Sequence, residues 1–169
     1  MGTSSISGST SGSASPSASV LDAASSEERC RTLLEAERVG LLSTTSVHRP
    51  GYPYGSLTPF ALSSRGAPLL LLSGLAAHTK NLLADPRACL FVGDLASVED
   101  PLAGARVSLL GVCRRVGASD ATDARTRYIA RHPRAEAYFQ LGDFGLWELV
   151  VEEARLISGF GSMRWMPFT

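Results

Sequence analysis

Residues 73–81, S-G-L-A-A-H-T-K-N, hold the densest group of side chains able to bind an anion. Ser73 and Gly74 lead into a predicted short helix. The first N–H groups of a helix have no partner inside it and attract negative charge. Thr79 adds a hydroxyl, Lys80 a compact cation, and His78 a donor whose charge varies near neutral pH. Asn81 adds an amide. Together these groups can serve a dianionic phosphate. They can equally be structural. Ser-Gly before a helix is a common cap, His78 and Asn81 can satisfy backbone groups, and Lys80 can simply be solvated.

Two further groups can bind a ligand. Ser56 and Thr58 are two apart and share a strand face with Tyr54 and Phe60. Such a stripe suits hydrogen bonds to a ring edge, and it suits a solvated barrel face as well. Leu57 and Thr58 can also offer backbone groups. Near the end, glycines at 159 and 161 allow close backbone approach. Arg164 and Trp165 follow, placed to reach a ligand across a dimer interface or to act as interface aromatics. His48, in a turn, and His132, at a helix end before Pro133, are the candidates for an iron ligand, or plain surface and capping residues. No Ser–His–Asp set, paired carboxylates or metal-ligand spacing is present.

The elements that must position these residues are mostly strands. Ser25 and Glu28 have capping-box spacing, so a helix is predicted from Ser25 to about Val39. Strands are predicted at 41–47, 54–62, 68–73, 87–92, 106–116, 144–157 and 159–166. Pro50-Gly51 and Gly66 mark tight reversals. The leucine run at 69–72 implies a strand buried on both faces. A helix at 76–84 stops at Asp85-Pro86. Gly111 in mid-strand marks a bulge or barrel bend. Ser119 is predicted to cap a helix running to Arg131, with one more helical turn at 134–139. Short connections favour antiparallel pairing. The fold class is therefore mainly β, an antiparallel barrel with helices at its ends.

The 169 residues suit one domain. Residues 1–24, rich in Ser and Gly, read as a disordered tail, or less simply as a targeting segment; 25–169 form the barrel. Lys plus Arg and Asp plus Glu balance at 16 each, which speaks against nucleic acid. No apolar run approaches a membrane span. Three separated cysteines, with no C-x-x-C pair, suggest a reducing, cytoplasmic setting and no zinc.

Several phrases then resemble a known family. Y-P-Y-G-S-L-T-P-F-A from Tyr52 is similar to the second barrel strand of the pyridoxamine-5'-phosphate-oxidase-like split barrels. H-T-x-N-L-x-x-D-P-R from His78, D-P-L-x-x-x-R from Asp100, R-H-P at 131–133 and G-F-G at 159–161 resemble its heme-utilisation branch. The resemblance implies an FMN-binding split β-barrel, working as a homodimer with its cofactor at the subunit interface, and a flavin-dependent oxidoreductase function. It implies that Ser56, Leu57, Thr58, Ser73, His78, Thr79, Lys80, Asn81, Arg164 and Trp165 line the cofactor site. A flavin would supply the redox chemistry itself. Heme is the alternative cofactor. Full-length heme-utilisation proteins carry a further C-terminal domain, and this chain stops at Thr169, which counts against heme. The oxidases place an Arg–Lys pair at the phosphate, where this chain has Ala77 and His78. That departure points to a third possibility, a dimer without a cofactor.

Overall fold

The structure is a computed structural model and describes residues 18–93, 104–158 and 163–168. It runs α1 (Ala18–Ala36), β1 (Val39–Thr45), β2 (Pro53–Leu62), β3 (Pro68–Ser73), α2 (Ala77–Ala84), β4 (Arg87–Gly93) and β5 (Arg106–Arg115). Then come α3 (Ala121–Arg131), a 3₁₀ helix (Pro133–Gln140), β6 (Phe144–Ile157) and β7 (Met163–Pro167). The D-P-L and G-F-G phrases, residues 94–103 between the fourth and fifth strands and residues 1–17 lie outside the described residues.

Two helix starts differ from expectation. Residues 18–24 belong to α1 and not to the tail, so Ser25 and Glu28 lie inside the helix. The alanines at 18, 23 and 24 outweigh the pull of serine toward a helix start. At α3 the residue before the helix is Asp120, not Ser119, and no side chain caps it. The first strand starts and ends two residues earlier than predicted; of the last, Met163–Pro167 is strand, and 159–162 lie outside the described residues.

The turns follow their sequence. Gly51 has φ of 84° and follows Pro50, and the Tyr52 amide donates to the Arg49 carbonyl at 3.1 Å. A positive φ at the third position of such a turn demands glycine. Gly66, φ 79°, closes the turn after β2, its amide donating to the Ser63 carbonyl at 2.9 Å, and its positive φ likewise favours glycine.

All strand pairs are antiparallel, in the order β3-β2-β1-β4-β5-β6-β7, and β3 pairs again with β6. Six strands therefore close into a barrel, with β7 added on β6. Closure is incomplete in one place. β2 pairs with β3 only through Phe60, Ala61 and Leu62. Beyond them the first half of β2 and the end of β3 part, and this split is where α2 sits.

The barrel interior is filled by Leu42, Phe60, Leu70, Leu90, Leu109 and Leu149, each at most 1% exposed. Each such side chain contributes about 1.5–3 kcal/mol by leaving water. α1 adds Cys30, Leu33 and Leu34 to that core. The opposite face of β3, Leu69 and Leu71, packs with Ala124 and Tyr128 of α3, so β3 is buried on both faces as its leucines require. Arg131 of α3 donates to the carbonyls of Glu35, Ala36 and Glu37. It thereby satisfies acceptors that the end of α1 cannot pair internally.

All three cysteines are free. Burial pushes the Cys30 thiol up to about 11 and the Cys113 thiol up to about 12. The thiolate is the nucleophile, so neither should react in the folded protein. Iodoacetamide at pH 8 should leave Cys30 and Cys113 unmodified for as long as the fold persists, and label both in urea; mass spectrometry reads the difference.

Candidate functional site

β3 ends at Ser73 opposite Phe144, the start of β6. α2 then crosses the split toward β4. Its position is fixed from below. The Thr79 hydroxyl donates to the Ser73 carbonyl at 2.6 Å. The Asn81 amide nitrogen donates to the Thr44 hydroxyl at 2.9 Å, and its oxygen accepts the Val47 amide at 3.0 Å. Thr79 and Asn81 are both buried. These two residues of the H-T-x-N phrase thus hold helix to barrel.

Ser73 is also engaged. Its hydroxyl donates to the Asp143 carboxylate and accepts the Leu75 amide at 3.1 Å. The Gly74 amide donates to the Asp143 carbonyl at 2.7 Å. Asp143 comes from the turn before β6, 70 residues away, and no pattern near it announces the contact. The loop expected to receive a phosphate therefore carries a carboxylate of its own. α2 has no side-chain cap, and Lys80 lies exposed on its outer face.

The stripe on β2 faces the barrel interior and then leaves it. Phe60 and Thr58 are buried, Ser56 is half-buried, and Tyr54 is exposed at the rim. The Thr58 hydroxyl turns back to the Ser56 carbonyl at 3.3 Å. Ser56 instead meets α2, with its Oγ 3.1 Å from His78 Nδ1. His78 is half-buried, and that burial lowers its imidazole below its ordinary value, so the neutral ring dominates at neutral pH. Among the described residues no group bonds its Nε2.

The β2 edge beside this pair is open. The Phe60 amide donates to the Arg38 carbonyl. By alternation the even-numbered amides of β2 turn toward β1 and the odd ones away from it. The backbone groups of Leu57 therefore face the unpaired edge, and its side chain is 77% exposed.

Arg164 and Trp165 are elsewhere. They pair with Leu156 and Arg155 on β6, and Arg155 lies over the Trp165 ring at 5.2 Å. Leu156 is roughly 40 Å of strand path from Phe144. One chain does not bring them to Ser56 and His78. His132 is not placed at the split either. His132 Nε2 bonds the Phe60 carbonyl at 2.7 Å, against Tyr128, and His48 sits exposed in the turn after β1. No cluster of three or more metal-ligating side chains occurs among the described residues. No helix among them is long and apolar enough to cross a membrane.

Comparison with known proteins agrees with this architecture. The CREG β-barrel family matches residues 21–169. The chloroplastic heme oxygenase HOZ of Arabidopsis thaliana is 37% identical over 132 residues, which is 78% of this chain and 40% of the relative. The heme binding protein of Mycobacterium smegmatis superposes with a TM-score of 0.78 at 34% identity, covering 84% of this chain and 57% of that one. The heme storage protein HutZ of Vibrio cholerae, at 21% identity and a TM-score of 0.63, covers 75% of this chain and 90% of its own; it shows the fold alone. The chain thus spans well under two thirds of HOZ and of the mycobacterial protein. A closed antiparallel barrel split beside α2, matched along nearly all its described length, places this chain in the CREG β-barrel family.

Proposed function

We propose that this chain is a heme-binding split-barrel module, working as a homodimer, with heme at the split between β2 and α2. One observation carries the choice of heme over FMN. The phosphate loop is occupied by its own anion, since Asp143 takes the Ser73 hydroxyl. Like charges brought together at such a loop repel, screened in part by solvent. A flavin phosphate placed there would meet that carboxylate without the Arg–Lys pair of the oxidases. Heme's charge is confined to two propionates on one edge, and its flat apolar body suits Tyr54 and Leu75, both exposed. When bound, heme would supply the redox chemistry; this chain's part is to hold and orient it.

The homodimer rests on the outer sheet face. Leu41 lies opposite Leu57 on one side and Phe91 on the other. Leu41 and Leu57 are exposed, and an apolar row of that kind marks an interaction surface. A second copy is also the means by which Arg164 and Trp165 would reach the site. The cytoplasmic setting belongs to the same reading and is supported by three free thiols.

A second reading, an FMN-dependent oxidoreductase, is supported by the uncapped start of α2 and by Lys80. One experiment separates the readings. Hemin and FMN are titrated separately into the purified protein and followed by absorbance. A saturable Soret shift at micromolar hemin, with no bound flavin, is expected. Bound FMN without a Soret shift would reverse the choice. Binding of neither would leave the cofactor-less dimer.

A further inference from the structure

We propose that this chain has a second small-molecule site, under the start of α3, which takes a carboxylic acid with an apolar body and holds its carboxylate on Arg114. The site is a cavity of about 450 Å³. It lies between the turn after β2, the outer face of β3, β5 and β6, and the first turn of α3. None of the residues at the split lines it, so the proposal stands apart from the heme reading.

Size and lining limit what it can take. Ligand pockets run from about 300 to 1,000 Å³, and about 150 Å³ already holds benzene. A body of one or two rings therefore fits. The walls offer it apolar surface, with Leu69 buried, Phe168 half-buried and Val150 exposed.

The charges decide the sign of the ligand. Glu148 stands opposite Leu69 on one side and Arg114 on the other, and its side chain is only 14% exposed. Both its oxygens accept from Arg65 Nη2, at 3.3 and 3.1 Å. The same nitrogen lies 3.7 Å from the Asp120 carboxylate. Asp123 accepts from Arg127 Nε at 2.8 Å. Each acid lining the cavity thus already has an arginine. Arg114 has no such match: among the described residues no carboxylate forms an ion pair with it. Its neighbour Arg115 also lines the cavity and lies over the Trp147 ring at 5.0 Å, a stacking that leaves the guanidinium edge able to donate. The surplus is in donors, so an anion is selected. A cation would have to displace Arg65 from Glu148. The planar fork of Arg114 matches a carboxylate at two points.

The experiment titrates naphthoate, a carboxylate on a two-ring body, into the full chain and follows the backbone amides by NMR. Shifts are expected at Leu69, Gly117 and Val150, with a Kd of about 1 mM or tighter. Neutral naphthamide should bind about tenfold more weakly. Naphthoate should lose about the same factor on Arg114→Gln, because a charged hydrogen-bond partner is gone. Arg65→Gln should reverse the preference. It releases Glu148 at the cavity wall, so naphthoate should weaken about tenfold and naphthylmethylammonium should tighten about tenfold. His78→Ala should bind naphthoate as the wild type does, which separates this site from the split. Thermal melts confirm that each variant is folded. Arg114→Lys, which keeps the charge but not the fork, replaces the glutamine variant if that one is not, and should also weaken naphthoate. Equal binding of naphthoate and naphthamide, wild-type affinity in the Arg114 variant, shifts confined to other residues, or no shift at about 10 mM would each overturn the proposal.

Discussion

Gly111→Ala is expected to destabilise the barrel by about 3 kcal/mol, the upper end of what overpacking with forced backbone shifts costs. A Cβ at this position would lie 2.0 Å from the Val150 carbonyl oxygen and 2.9 Å from the Val151 Cα. Both are main-chain atoms, so no rotamer change relieves the overlap. The register explains why the strands come so close. Leu110 pairs with Glu153 but Gly111 pairs with Val151, leaving Glu152 as the extra residue of a bulge. A bulge raises local twist and bends its strand. Here it divides β6 into a part that pairs with β3, through residues 144–148, and a part that pairs with β7, through 153–157. Gly111 thus sits at the corner between the closed barrel and its added strand. Urea unfolding should show the loss. Gly142→Ala is the control, because a Cβ there meets nothing within 4 Å, and its change should stay within about 0.5 kcal/mol. Equal stability of the two variants would remove the bulge argument.

Gly111 is also a case of what the sequence discloses. A glycine amid Leu109, Leu110 and Val112 has no reason to be there except backbone proximity, and that reason is local. The same holds for Pro50-Gly51, for the leucines of β3 and for the stop at Asp85-Pro86. Each is decided within a few residues. Closure of β3 onto β6 is not, since either strand carries the alternation or apolarity to pair with several neighbours. Nor does any local pattern link Asp143 to Ser73. The candidate site residues were readable as a neighbourhood and not as roles. Ser73, Thr79 and Asn81 have the hydroxyl and amide groups a ligand needs, and the same groups are what a short helix needs to be tied down. Ser56 and His78 come from different elements, and only the fold makes them partners. The early start of α1 failed to show for a different reason. Helix propensity acts as a sum over many residues, whereas a capping box is read at two.

Asn81→Ala is expected to cost about 1–3 kcal/mol, because the buried Thr44 hydroxyl and the part-buried Val47 amide lose their bonds at once. Asn81 is 2% exposed and serves both the Thr44 hydroxyl and the Val47 amide. Its side chain is therefore a joint between α2 and β1. The consequence reaches the candidate site without touching it. His78 is three residues earlier on the same helix, and its meeting with Ser56 across the split depends on where that helix lies. Asn81→Ala should consequently weaken hemin binding while leaving His78 in the chain. It should also raise the hydrogen-exchange rate of the Val47 amide, a local readout of the lost joint. Lys80→Ala, one residue away and exposed, should alter stability by no more than about 0.5 kcal/mol. If Asn81→Ala left exchange at Val47 and affinity for hemin as they are, the helix would not be held by this joint. The path from a buried amide to the candidate site would then have to run through Thr79 and its bond to Ser73.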